Sequence, residues 1–219
     1  MRLTVYGRDV VIKALVITLL IDIIALIIPN EVLKLILLVL SVLLISFTLF
    51  FFRDPKRHLP ENIKENEIIS PADGKVIIIE EIQENEFLKS NSKLIGIFLS
   101  PLNVHVNRIP VSGKVAFYQY IKGDYIAAFN HKSSETNERT VIGIEGNKFK
   151  VLFKQVAGFV ARRIVCALRT GDNVRIGEKF GMIKFGSRVD VIFPSNSNIR
   201  VSVNQKVIGG ETILAEVLS

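Results

Sequence analysis

Cysteine is almost absent from this chain of 219 residues, in which Cys166 is the only one. A lone cysteine excludes an internal disulfide and also a metal site built from several cysteines. Cys166 lies in "RRIVCALR", an apolar, β-like run, which favours a buried structural thiol over a reactive one. Neither a covalent cross-link nor a cysteine-bound metal therefore explains this fold.

Acidic charge is scarce relative to basic charge. The chain holds 28 Lys and Arg against 21 Asp and Glu, a formal charge of +7, and its pI is about 9.5. A basic chain suits an anionic partner, either nucleic acid or an acidic lipid surface. Hydrophobic residues make up 49%, and the mean hydropathy of +0.38 is high for a purely soluble protein. This apolar excess is concentrated in the first 52 residues.

Charge is missing altogether from the long apolar run Leu35–Phe52. Residues 10–29 and 32–52 are each about 20 residues long, the length that crosses roughly 30 Å of hydrocarbon. Asp22 lies deep in the first segment and would cost a few kcal/mol at the bilayer centre, so we expect it to face the partner helix or to lie off-centre. The pattern predicts a membrane-anchoring helical hairpin over residues 1–52.

Basic residues lie at both ends of the predicted hairpin, with Arg2, Arg8 and Lys13 at its start and Arg53, Lys56 and Arg57 after its end. This distribution favours both ends on the cytoplasmic side, which would place the rest of the chain on the cytoplasmic face of the cell membrane. A cleaved signal peptide followed by a stop-transfer helix is the alternative, but no small-residue cleavage site precedes Glu31. A shallow re-entrant hairpin stays open. In each case anionic lipid becomes a natural partner for the basic charge.

The remainder of the chain has no long segment with helical apolar periodicity. Residues 53–67, "RDPKRHLPENIKENE", are polar with two prolines and predict a linker. After them, short β-branched runs alternate with turn signals, which is typical of strands. The sequence therefore predicts a mainly β body over residues 68–219, a sandwich or barrel large enough to bury a core.

An internal repeat supports this interpretation. "VRIGEKFGMI" begins at Val174 and "VIGGETILAE" at Val207, an offset of 33 (207 − 174) that aligns Gly177 with Gly210. Val-x-x-Gly-Glu before an apolar strand resembles the half-motif of the lipoyl/biotinyl barrel-sandwich hybrid fold. Each glycine would permit a turn that a side chain would hinder. We therefore expect a barrel-sandwich-hybrid-like body.

Four stretches carry residues suited to chemistry. In "KFGSRVDVIF", Gly186 and Ser187 interrupt an apolar β-like run, which by itself is typical of a turn. "SPADGKV" places Asp73 in a turn, where aspartate usually bonds its own backbone. "NVHVNRIP" places His105 in an apolar run, as expected of a buried core histidine, and "SSETNERT" alone would be a solvated loop.

Taken together and in order, these stretches resemble the phosphatidylserine decarboxylases, in their short membrane-anchored form. The resemblance covers nearly the whole chain, including the anchor, "RRIVC", "GDNVRIGEKFGMIKFGSRVDV" and "GETILA". It implies a lyase made as a proenzyme that cuts itself between Gly186 and Ser187. The products would be a β chain of residues 1–186 and an α chain of residues 187–219. The reaction implied is conversion of phosphatidylserine to phosphatidylethanolamine.

The resemblance also implies how the cofactor arises. The Ser187 hydroxyl would attack the Gly186 carbonyl, converting the amide to an ester. Loss of the Ser187 Cα proton would then eliminate the ester, and the resulting dehydroalanine would hydrolyse to ammonia and a pyruvoyl group. The pyruvoyl carbonyl would form a Schiff base with the substrate amine and act as the electron sink during loss of CO2. No external cofactor and no metal are implied.

The implied chemistry gives each residue type a physical role. A serine hydroxyl is a weak nucleophile until a neighbouring base takes its proton. Imidazole is the natural base near neutral pH, and a buried carboxylate can orient it. We therefore predict Ser187, His105 and Asp73 as the catalytic residues, with Gly186 and Ser187 as the cleavage site.

One feature of the family pattern is not reproduced. Longer members carry a second histidine three residues after the first, where this chain has Arg108. In the family one histidine is thought to serve self-cleavage and the other decarboxylation. Here either His105 serves both steps or His131 contributes. His58, in the linker, is expected to be solvated. The headgroup phosphate calls for cations or N–H donors, and the candidates, which the sequence does not rank, are Arg108, Arg139, Arg162 and Arg163.

Other functions remain open at this stage. The same chemistry would serve archaetidylserine, which has the same headgroup on ether-linked chains. A non-enzymatic, membrane-tethered barrel-sandwich adaptor would explain the repeat and the anchor, but not Gly186-Ser187, Asp73 and His105. A membrane-bound serine peptidase would remain one uncut chain. The expected partners are a serine phospholipid and the protein's own two chains as a heterodimer, with higher oligomers open and no nucleic acid.

Overall fold

The computed structural model of this chain describes residues 2–128, 133–159, 163–184 and 186–218. The chain divides into two compact units, Met1–Pro55 and Lys56–Ser219. The division falls inside the segment for which the sequence predicts a linker.

The first unit is a pair of apolar helices. A 3-10 turn, Val5–Gly7, leads into α1, Arg8–Ile27, and α2 spans Glu31–Phe51. Asn30 begins α2 because its side-chain oxygen accepts from the Leu33 N–H at 3.0 Å, the usual role of an N-cap. Both helices are long and apolar enough to cross a membrane, with 23 residues in Val5–Ile27 and 21 in Glu31–Phe51. The apolar helical region predicted from the sequence is confirmed.

The buried positions within this helix pair are mostly small side chains, and Asp22 is half-buried. Small residues let two helices approach closely where there is no large hydrophobic driving force between them. The two buried threonines satisfy their hydroxyls within their own helices: Thr18 donates to the Leu15 carbonyl at 2.9 Å and Thr48 to the Leu44 carbonyl at 2.8 Å.

The second unit is built of short strands with one helical turn. The strands are β1 Glu67–Ile69, β2 Gly74–Glu84, β3 Ser90–Leu99, β4 Val106–Arg108, β5 Gly113–Ile121, β6 Arg139–Glu145, β7 Lys150–Val156, β8 Arg163–Cys166, β9 Asn173–Val174, β10 Lys179–Lys184, β11 Ser187–Pro194, β12 Ser197–Ile199, β13 Lys206–Val207 and β14 Ile213–Val217. The helical turn, α3, is Ser133–Thr136. The prediction of a mainly β body is confirmed.

These strands form three antiparallel sheets. The largest has the order β13-β2-β3-β11-β7-β6-β5-β9, and the two smaller ones are β4-β10-β8 and β1-β14-β12. Strand β11 lies in the middle of the large sheet, and seven of its eight residues are buried. Burial on both faces explains why Val191, Ile192 and Phe193 follow one another without a polar residue between them.

The internal repeat is real in three dimensions. Gly177 and Gly210 have φ of +81° and +84°, left-handed conformations that a side chain would hinder, as expected of turns that need glycine. Their N–H groups make equivalent bonds, from Gly177 to the Ile109 carbonyl at 2.9 Å and from Gly210 to the Ser70 carbonyl at 2.8 Å.

A second part of the same repeat becomes visible only through strand pairing. Val174 pairs with Gly113 and Val207 with Gly74. The paired glycines lie in "PVSGKV" and "PADGKV", which share the pattern Pro-x-x-Gly-Lys-Val. Each half of the repeat therefore combines one such turn with one Val-x-x-Gly-Glu turn from later in the chain.

A buried ion pair lies on β11 within this apolar surrounding. Arg188 Nε donates to Asp190 Oδ1 at 2.5 Å, and the two side chains are 2% and 0% exposed. The other carboxylate oxygen of Asp190 accepts from the Ser134 hydroxyl of α3 at 2.5 Å. Gly96 on β3 leaves room for the pair, since a Cβ there would lie 2.9 Å from the Arg188 guanidinium.

We expect Asp190→Asn to lower the melting temperature by roughly 10 °C, because it leaves the Arg188 charge buried without its counter-ion. Thermal unfolding in detergent measures this. The double variant Arg188→Met/Asp190→Leu, which removes both charges, should be closer to wild type. An Asp190→Asn protein as stable as wild type would show that the pair does not hold β11 in place.

Candidate active site

Two of the predicted catalytic residues, Asp73 and Ser187, lie at one end of the large sheet, and His105 lies on the chain that leaves this end after β3. Strands β3, β7 and β5 end there, while β2, β11 and β6 begin there, as the pairings of Ser187 with Leu99 and of Arg188 with Val156 require. We call this end of the sheet the site edge. Asp73 directly precedes β2 and His105 directly precedes β4.

Ser187 is the first residue of β11 and is fully buried. Among the residues that the structure describes, its hydroxyl has no hydrogen-bond partner. A buried hydroxyl without a partner costs about 1–3 kcal/mol, and such a group in a native fold calls for an explanation such as a catalytic role. Gly186 precedes it with φ of +44°, a left-handed conformation that glycine adopts without strain.

Gly158 provides the space in which the Gly186 carbonyl lies. A Cβ built on Gly158 would lie only 2.1 Å from the Gly186 oxygen. Gly158 comes two residues after the end of β7, the strand that pairs with β11. Any side chain at residue 158 would therefore push away the carbonyl that Ser187 is predicted to attack. Sequence reasoning missed Gly158 because the approach joins residues from two strands.

We expect Gly158→Ala to slow cleavage between Gly186 and Ser187 by at least about tenfold. The added methyl group would push the Gly186 carbonyl away from its place, and a shift of about 1 Å in a reacting group can slow a reaction by about 10²-fold. A time course on denaturing gels measures it. Gly171→Ala is the control for general destabilisation, because its φ of +101° strains any side chain although a Cβ there meets nothing within 4 Å. Normal cleavage in Gly158→Ala would contradict the role of this close approach.

His105 is buried, and its ring is oriented by a backbone carbonyl. Nδ1 lies 2.9 Å from the Asn103 oxygen. Because a carbonyl only accepts, Nδ1 carries the hydrogen, which makes Nε2 the basic nitrogen. Asn103 is itself held by the Ser100 N–H and hydroxyl, which donate to its side-chain oxygen at 2.9 and 2.8 Å. The loop between β3 and β4 is thus a bonded turn that fixes the imidazole.

His105 also lies on the side of β4 that faces the large sheet. Strand alternation places it on the same side as Asn107, whose side-chain oxygen accepts from Gln155 of β7 at 2.8 Å. Gln155 pairs with Val189 of β11, and Val189 shares a face of β11 with Ser187. His105 and Ser187 therefore both point into the layer between the two sheets.

Asp73 is bound at both carboxylate oxygens. Oδ2 accepts from Arg57 Nη2 at 2.6 Å and Oδ1 from the Gly209 N–H at 2.9 Å. The second contact has a counterpart in the other half of the repeat, where the Ser112 hydroxyl accepts from the Ile176 N–H at 2.9 Å. Asp73 thus holds a repeat turn in addition to any part in catalysis.

The sheet sets the spacing between Asp73 and Ser187. Strand β3 lies between β2 and β11, so the two residues are separated by about 10 Å, two strand spacings. Ala72 and Leu99 belong to one buried cluster with Ile183 and Val189, which joins the Asp73 turn to β3, β10 and β11. A role of Asp73 toward His105 stays a prediction.

The arginines proposed for the headgroup occupy different environments. Arg108 is buried and donates to the Gly177 carbonyl at 3.0 Å, so it braces a repeat turn. Arg139 donates to the Asn137 carbonyl at 3.0 Å. Arg163 is exposed. It lies on β8 opposite Lys184 of β10, which comes two residues before Gly186. Arg162 and His131 lie outside the described residues, and His58 is exposed as expected.

The stretch "SSETNERT" is a brace rather than the solvated loop that it would be on its own. The Asn137 amide is fully buried and donates to the carbonyls of Ile126 and Ala157, both at 2.8 Å. It therefore ties the segment before β6 to the backbone residue that precedes Gly158. The buried amides of Asn137 and Gln155 were missed by sequence reasoning, because single amides carry no pattern.

The prediction of a buried structural thiol holds only in part, because Cys166 is half-buried. Burial raises the pKa of the thiol from 9.0 to about 11, so thiolate is scarce at neutral pH and the sulfur is unreactive.

Comparison with known proteins supplies the family. A sequence model of phosphatidylserine decarboxylase matches residues 44–215 of this chain. The chain belongs to the phosphatidylserine decarboxylase family. A "Phosphatidylserine decarboxylase proenzyme" of Chlorobium phaeobacteroides (strain BS1) is 46% identical over 215 residues, covering 98% of this chain and 99% of the relative. One of Prosthecochloris aestuarii is 47% identical over 212 residues, covering 97% and 96%.

Family membership agrees with the resemblance stated from the motifs. The match includes the site edge and the strands on both sides of the Gly186–Ser187 bond. This chain is therefore a decarboxylase by family, and the adaptor and peptidase alternatives are set aside.

Proposed function

We propose that this decarboxylase converts phosphatidylserine to phosphatidylethanolamine with a pyruvoyl group derived from Ser187. The observation that carries the proposal is the buried Ser187 hydroxyl without a described partner, next to a left-handed glycine whose carbonyl lies against Gly158. The relatives are named proenzymes of phosphatidylserine decarboxylase, which favours this substrate over archaetidylserine.

The residues of the site edge would divide the work of self-cleavage. His105, with Nδ1 on the Asn103 carbonyl, presents Nε2 as the base for the Ser187 hydroxyl proton. Gly158 leaves room for the Gly186 carbonyl oxygen as the carbon is attacked. Asp73 holds its turn through Gly209 and Arg57, and we assign it the role of orienting His105. No metal is part of the proposal.

The pyruvoyl group, once formed at residue 187, would supply an electron sink for loss of CO2 from the serine headgroup. The chain's own contribution is a dry layer between two sheets, with buried Ala72, Leu99, Ile183 and Val189 around residue 187. Exclusion of water there would strengthen every polar interaction with the headgroup.

The two chains would stay together after cleavage as a heterodimer. The α chain of residues 187–219 contains β11, which is paired with β3 and β7, as well as β13 on β2 and β14 on β1. The partner strands all belong to the β chain. We further propose that the helix pair anchors this heterodimer on the cytoplasmic face of the cell membrane, as the flanking basic residues suggest.

Intact-mass measurement of the purified protein tests self-cleavage. We expect two chains that divide after residue 186, the smaller one with a pyruvoyl group in place of its N-terminal serine, and one uncut chain for Ser187→Ala. A single uncut chain in the wild-type protein, purified active from membranes, would contradict the proposal.

His105→Gln should slow self-cleavage by about 10²–10⁴-fold, because the Ser187 hydroxyl loses its proton acceptor. His58→Gln is the matched control, as His58 is an exposed histidine. Gel time courses and CO2 release from labelled substrate measure the two steps separately. Wild-type rates for both steps in His105→Gln would remove His105 from the mechanism.

A further inference from the structure

Two large apolar side chains of the catalytic body stand out by their exposure. Leu102 is 66% exposed and Phe159 68%. The other exposed large hydrophobics described in Lys56–Ser219 reach at most 48%. Single exposed hydrophobics are common on protein surfaces, so exposure alone carries little weight. Their position relative to Ser187 is the observation that suggests a role.

Both side chains lie beyond the site edge, on opposite sides of Ser187. Strands β3 and β7 flank β11 and run antiparallel to it. Each therefore leaves the sheet where β11 begins. Leu102 comes three residues after the end of β3 at Leu99, and Phe159 comes three residues after the end of β7 at Val156.

Each side chain lies next to a residue that contacts the site edge. Leu102 lies inside the turn in which the Asn103 N–H donates to the Ser100 carbonyl at 2.9 Å. Phe159 directly follows Gly158, which lies against the Gly186 carbonyl. Both apolar side chains are therefore close along the chain to the buried Ser187.

Charge on the same border complements an anionic surface. Arg163 is exposed, and its partner in β10, Lys184, lies two residues before Gly186. A cation beside apolar side chains is the combination that favours the boundary between lipid headgroups and acyl chains.

We propose that Leu102 and Phe159 insert into the headgroup–acyl boundary of a phospholipid bilayer and seat the site edge beside Ser187 on the lipid surface. This rests on the proposed function, because a substrate with two acyl chains then presents its headgroup without leaving the bilayer. A bilayer is the occupant because the chain carries two helices long and apolar enough to cross one. The proposal concerns the catalytic body alone.

The chain contains no tryptophan, so a single introduced tryptophan reports its own surroundings. The probes are Leu102→Trp and Phe159→Trp in the full-length protein, in phosphatidylcholine/phosphatidylglycerol vesicles with brominated acyl chains. Asn147→Trp is the control, since Asn147 is exposed in the hairpin between β6 and β7, at the opposite end of the sheet. We expect blue-shifted, bromine-quenched emission from both probes and water-like, unquenched emission from the control.

Activity provides an independent readout. Leu102→Ser/Phe159→Ser should lower kcat/KM on vesicle-embedded phosphatidylserine by about tenfold, while self-cleavage and turnover of a short-chain, water-soluble phosphatidylserine stay within about twofold of wild type. Leu218→Ser, which removes a different exposed leucine, should leave both substrates unaffected.

The outcomes separate this inference from the proposed function. Probe emission equal to that of Asn147→Trp, or an equal loss on vesicle and soluble substrates, would overturn the membrane-seating role. An uncut wild-type chain would instead overturn the pyruvoyl proposal, and the quenching measurement would still decide whether the two side chains enter the bilayer.

Discussion

The central position of β11 is the constraint on which the rest of the structure depends. This strand begins at Ser187 and is paired along its length with β3, and over five residues with β7. Because it is buried on both faces, its first residue cannot reach water, and the bond before it lies at the border between a rigid strand and a left-handed glycine. A proenzyme that cuts itself at this bond keeps its new chain end inside the sheet. In the proposed cleavage, strand pairing would hold the two chains together in place of the peptide bond.

Hydrogen bonds between buried polar groups fix the strands around β11 in one geometry. The Arg188–Asp190 pair and Ser134 connect β11 to α3, and the amide of Asn137 connects the segment before β6 to the residue that precedes Gly158. A buried polar group that loses its hydrogen-bond partner raises the free energy of the fold, because the interior has a low dielectric constant. Each bond in this network therefore favours one geometry over its alternatives. The apolar core alone would tolerate small shifts of β7 relative to β11. The polar contacts limit those shifts at the point where the Gly186 carbonyl needs its space.

The internal repeat changes how Asp73 is understood. Its contact with the Gly209 N–H has an exact structural counterpart in Ser112 and Ile176, at a place in the fold where no chemistry is proposed. The repeat turn therefore needs an oxygen acceptor at this position, and either a hydroxyl or a carboxylate meets that need. What distinguishes Asp73 is its charge and the Arg57 guanidinium on its second oxygen. The same turn position thus holds a carboxylate, Asp73, in one half of the repeat and a hydroxyl, Ser112, in the other.

The sequence by itself determined the features that depend on neighbouring residues. Apolar length predicted the helix pair, β-branched runs between turn signals predicted the mainly β body, and Val-x-x-Gly-Glu predicted turns that need glycine at Gly177 and Gly210. The ordered motifs indicated the family and singled out Gly186 and Ser187. Only the tertiary structure decided which strands pair, and with them the approach of Gly158 to Gly186, the Arg57–Asp73 contact and the positions of Leu102 and Phe159. The physical reason is that helix length and turn conformation are set by local sterics and solvation. A contact between two strands instead depends on how every intervening strand is ordered and registered.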